Sequence, residues 1–73
     1  MEPDVASRLL WHRYHAFPWF VAVGEGVVEG SRGLHLYATH IDTILARDLS
    51  RGWMGYPIAV FVSGRPVLVF RAR

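Results

Sequence analysis

The chain reads as a single α+β domain in the order α-β-β-α-β-β, with two helices covering one face of a four-stranded sheet. Three observations lead there. Apolar residues recur at helical spacing near the start of the chain and again from Ile41 to Leu49. Four other segments are rich in β-branched and aromatic residues and are bounded by glycine or proline. At 73 residues the chain has room for one domain only.

Pro3 suits a first helical turn, where its missing N–H costs nothing. The helix is expected to run to about His15, with Val5, Ala6, Leu9, Leu10 and the stem of Arg13 as its apolar stripe and Arg8, Trp11, His12 and His15 opposite. Pro18 ends it by holding Phe17 out of the α region. Trp19–Val28 is the first strand: Trp19, Val21 and Val23 point one way, Phe20, Ala22 and Gly24 the other. Gly24 and Gly26 suggest a bulge or a close helix contact. Residues 29–33 form a turn, and Leu34–Thr39 is the second strand. Thr39-His-Ile-Asp42 has capping-box spacing and opens a short helix buried through Ile41, Ile44, Leu45 and Leu49. After a loop from Ser50 to Gly55, Pro57–Val62 and Val67–Arg71 form the last hairpin around Ser63-Gly64.

That hairpin is apolar on both of its faces. Two helices can cover one face of the sheet. The other face is expected to present a set drawn from Trp19, Val21, His35, Tyr37, Phe61 and Phe70. Such an area exceeds what monomers usually expose, so the sequence predicts self-association, most simply as a homodimer. A chain of this length buries only roughly 60% of its unfolded surface, which also favours a partner.

These segments resemble a small bacterial α/β module of uncharacterised role. The likeness is carried by Ala22-Val-Gly-Glu-Gly26, Gly33-Leu-His-Leu-Tyr37, Leu49, Gly55-Tyr-Pro-Ile-Ala-Val60 and Ser63-Gly64, and spans about residues 16–67. It implies a scaffold and brings no functional residue with it.

There is no cysteine, which excludes disulfides and thiolate chemistry and suits a cytoplasmic protein. The longest apolar stretch, from Ala16 to Gly24, is too short for a membrane span of about 20 residues. The acidic opening Met-Glu-Pro-Asp is unlike a signal peptide. All eight basic residues are arginine, as a GC-rich genome would produce. Residues 49–73 hold Arg51, Arg65, Arg71 and Arg73 and no acid. With Trp53 these form an alternative surface, one that tracks phosphates and stacks a base. The plainer reading is a charged end that keeps an apolar hairpin from aggregating.

No catalytic, cofactor or metal site is assigned. His12 and His15 share a helix face, but zinc needs three or four ligands, and nothing brings His35 or His40 to them. A His–Asp base from His35 or His40 with Asp42 has no activated nucleophile beside it, since Ser31 and Ser63 are turn residues. Gly24-Glu-Gly-Val-Val-Glu-Gly30 departs from the dinucleotide fingerprint at Glu29, and its two glutamates would repel a pyrophosphate. The chain is therefore expected to be a non-enzymatic interaction module.

Overall fold

The element order is the expected one. In the computed structural model, which describes residues 1–72, it is α1 (Pro3–Tyr14), β1 (Phe20–Val28), β2 (Ser31–Ala38), α2 (Thr43–Leu49), β3 (Ile58–Val62) and β4 (Arg65–Phe70). The sheet is mixed, with spatial order β1-β2-β3-β4. β1–β2 and β3–β4 are antiparallel hairpins, and the central pair β2–β3 is parallel.

Each hairpin turns on two residues with positive φ, Glu29-Gly30 (50° and 79°) and Ser63-Gly64 (53° and 78°). Positive φ at both central positions matches the right-handed strand twist, and glycine takes the second position without a Cβ clash. A third such turn was missed in the sequence. Met54-Gly55 (51° and 83°) closes a miniature hairpin in which Trp53 and Tyr56 exchange backbone hydrogen bonds of 2.9 and 2.8 Å.

α1 starts on Pro3 with Asp4 in its first turn and has Arg13 in its last, charges that complement the helix dipole. Its buried residues are Pro3, Ala6, Leu10 and Tyr14. The stripe is thus rotated from the expected one: Val5 and Leu9 are both 37% exposed, and Tyr14 takes the inner position near the helix end. α2 is capped by Asp42, whose Oδ1 accepts from the Ile44 N–H at 2.9 Å. The expected box began three residues earlier. Thr39 instead donates its backbone N–H to the Trp19 carbonyl, and Ile41 is left exposed before the helix.

One core cluster joins Ala6, Leu10 and Tyr14 of α1 to Leu45 and Leu49 of α2 and to Leu34, Leu36, Ala38, Ile58, Val60 and Phe70 of the strands. Three polar links tie the layers together. The Tyr14 hydroxyl donates to Asp48 Oδ2 at 3.0 Å, the Trp53 indole N–H donates to the Ala6 carbonyl at 3.0 Å, and the Tyr56 hydroxyl donates to the Met1 carbonyl. Burial is the main reason Tyr14 is pushed up to about 12, and the Asp48 bond adds to it. The same bond is the main cause holding the Asp48 carboxyl below its ordinary value, with Arg47 assisting.

Leu36→Ala is expected to cost about 2–5 kcal/mol, a large share of the about 4–11 kcal/mol that a domain of this length holds. Urea denaturation measures it. The titrations carry signs. Tyr14 is raised, so the stability tied to its neutral form is complete below pH 10 and lost as pH rises toward about 12. Asp48 is lowered, so its contribution is present above pH 3.8 and lost as pH falls below that. Melts between pH 9 and 12 should therefore show an alkaline loss that Tyr14→Phe diminishes.

Candidate self-association face

Strand alternation puts Leu34, Leu36 and Ala38 of β2 in the core and Gly33, His35 and Tyr37 on the opposite side. The ladder extends that second set across the sheet. Tyr37, His35 and Gly33 pair with Ala22, Gly24 and Gly26 of β1. His35 and Tyr37 also pair with Ala59 and Phe61 of β3, which pair in turn with Val69 and Pro66 of β4. No aspartate, glutamate or arginine occupies any of these positions.

Two register shifts complete the face. The first lies between Phe20 and Ala22, with Val21 as the extra residue; the second leaves Val67 unpaired opposite the Val60–Phe61 step. At a bulge two residues oppose one, so strand parity changes there. Val21 is 59% exposed and lines an open recess of about 350 Å³ with Tyr37, Phe61 and the Ser63-Gly64 turn. Val67 is 51% exposed.

An aromatic row stands on the two central strands. The Tyr37 and Phe61 rings stack at 5.1 Å, and His35 meets Phe61 at 4.8 Å. His35 leans over β1, with Nε2 3.0 Å from the Val27 carbonyl oxygen. A Cβ on Gly26 would lie 2.5 Å from the imidazole, so glycine there makes room for the ring. A Cβ on Gly24 would meet nothing within 4 Å. Ala22 and Gly24 thus form a low notch beside a raised aromatic row.

Of the six residues expected on this face, Val21, His35, Tyr37 and Phe61 are there. Trp19 and Phe70 are not; both are buried in the core cluster. Trp19 precedes β1 in a turn, where the Phe20 N–H bonds the Phe17 carbonyl, and packs between Tyr14 and Phe17. Phe70 is displaced by the β4 bulge, which pairs it with core residue Ile58. Ala22, Gly24, Val67 and Val69 were missed. Pro66, which cannot donate to a ladder, was the available hint of irregularity in β4.

The arginines do not converge on an aromatic platform. Trp53 is partly buried against Tyr14, with its N–H engaged by Ala6. Arg71 makes a two-point ion pair with Glu29, at 2.9 and 3.0 Å. Arg65 opens β4 and Arg71 follows its far end, about 20 Å along an extended strand. Arg51 is exposed in the loop after α2, and Arg73 lies outside the described residues.

The histidines are likewise dispersed. His15 stacks on Trp11 at 4.0 Å, and His12 stands edge-on to it. His40 lies 3.9 Å from Asp42, which is committed to capping α2. Among the described residues no three histidine or acidic side chains gather around one point, and no helix is long and apolar enough to cross a membrane. Compared with protein-family models, curated proteins and solved structures, the chain matches none of them. The face is therefore read on its own chemistry.

The two open-face glycines should respond oppositely to alanine. Gly26→Ala pushes the His35 ring off its contact with the Val27 carbonyl and should cost about 0.5–1.5 kcal/mol, the worth of that hydrogen bond. Gly24→Ala meets no neighbour and should be neutral or stabilising by up to about 1 kcal/mol, as restricting the unfolded chain predicts. Paired urea titrations decide this.

Proposed function

We propose that this protein is a small non-enzymatic interaction module that works as a homodimer through the sheet face opposite its core. The observation that carries the reading is that no aspartate, glutamate or arginine stands at the paired positions of that face, which carries Val21, Tyr37, Phe61, Val67 and Val69 around His35. Exposed apolar areas of this kind mark interaction sites. The edges argue for the face over strand-to-strand pairing. β4 is guarded by Arg65, Pro66 and a bulge, and β1 carries a bulge and Glu25; these features discourage edge pairing.

A face about 20 Å by 20 Å offers about 400 Å² in plan on each copy. The pair totals about 800 Å², less than a standard specific interface, so the expected association is weak and reversible. Nucleic-acid binding through Arg51, Arg65 and Arg71 is the competing reading; it requires retention on DNA or RNA that falls steeply with salt.

Light scattering from about 10 μM to 1 mM should show mass rising from 8.3 kDa toward twice that value. Phe61→Asp and Tyr37→Asp should hold the chain at monomer mass. A wild-type chain that stays monomeric throughout this range rejects the proposal.

A further inference from the structure

We propose that a recess at the end of the sheet binds a small oxyanion, its carboxylate or phosphate head held between Arg32 and Arg71, and that Glu29 is the internal group it displaces. The site is separate from the self-association face and does not rest on that reading. The recess holds about 420 Å³ and lies where the Glu29 turn, the start of β2, the lead into β3 and the end of β4 meet. A volume in that range suits a small molecule. Buried Val28 and half-buried Tyr56 and Pro57 give it an apolar wall. That wall is fixed within the chain. The Pro57 carbonyl accepts from the Leu34 N–H at 2.9 Å, and the Tyr56 hydroxyl donates to the Met1 carbonyl.

The polar groups set the charge of the ligand. Arg71 Nε and Nη2 donate to the two carboxylate oxygens of Glu29 at 2.9 and 3.0 Å. In that two-point geometry an arginine recognises a carboxylate or a phosphate. The recess therefore already holds a carboxylate, tethered to its own rim. Glu29 is the one acid on the lining, against Arg32 and Arg71. Arg32 makes no ion pair among the described residues. The Arg71–Glu29 pair is itself open to water, with side chains 77% and 46% exposed. Exposed pairs contribute little, so Glu29 leaves the fork at small cost. A diffusible dianion takes its place and gains Arg32, with which Glu29 has no ion pair.

The probes are succinate and inorganic phosphate, titrated into the full chain and followed by amide chemical shifts, with sodium chloride at equal ionic strength as the reference. A wild-type dissociation constant of about 1–10 mM is expected. Glu29→Gln should tighten binding at least about threefold, because the tethered competitor loses its charge. Arg32→Ala and Arg71→Ala should each weaken it at least about fivefold. Arg65→Ala, at the other end of β4, should leave it unchanged. The probe bound more tightly identifies the head group. If Glu29→Gln does not fold, Arg32→Ala decides. Shifts that sodium chloride reproduces overturn the proposal. So does an affinity that Glu29→Gln leaves unchanged or lowers, or one that Arg32→Ala reduces no more than Arg65→Ala.

Discussion

The parallel pairing of β2 with β3 is the constraint on which the rest of the molecule depends. Antiparallel neighbours close with two residues, as Glu29-Gly30 and Ser63-Gly64 do. Parallel neighbours need a crossover of a dozen residues or more. Here the stretch between Ala38 and Ile58 supplies it, and nearly everything that unites the layers lies on that stretch. α2 contributes Leu45 and Leu49 to the core and presents Asp48 to Tyr14, and Trp53 reaches back to α1. Parallel strands occur almost only where both faces are covered, and they read as unbroken apolar runs. Ile58-Ala-Val-Phe-Val62 has that composition. Its core side is covered within one chain, while Phe61 is left half-buried on the other side.

The two sides of the sheet are finished differently. On the core side, long aliphatic side chains from both helices and three strands fill a common volume. On the other side, alanine and glycine alternate with aromatic rings, which yields relief instead of a filled layer. Charge follows the same division. Glu29, Arg65 and Arg71 stand at the hairpin ends, and the paired positions of the open face hold no aspartate, glutamate or arginine. The edges are guarded and the broad surface is not, so the self-association proposed above would use the surface and not the edges.

Element identity was legible because period and punctuation agreed: Pro3, Pro18, Ser63-Gly64 and the apolar runs all point to the observed elements. Parity within the strands was less so. A single bulge inverts every inward and outward assignment beyond it, and bulges arise from three-dimensional fit more than from local composition. That explains how Ala22 and Gly24, expected on the side opposite Val21, share the open face with it, while Phe70 is turned inward. Tyr14 is absent from the expected inner stripe, and the partner of its buried hydroxyl, Asp48 of α2, lies 34 residues along the chain. The cap of α2 shows the same limit on a smaller scale, since Thr39 and Asp42 both qualify by residue type and only the length of β2 chooses between them.

The tandem-hairpin layout also sets a timetable for folding. Each hairpin closes around a tight turn, the kind of local event that takes about 1–10 μs. Joining β2 to β3 must wait for the crossover to close, with contacts 24 residues apart in sequence at Leu34 and Ile58. Loop-closure entropy is incurred before that pairing gives anything back. The central seam of the sheet is therefore expected to form after the two hairpins. Until it does, each hairpin carries an unpaired inner edge and an apolar surface on both sides. The nascent chain is most exposed to wrong partners at the seam that later holds the finished molecule together.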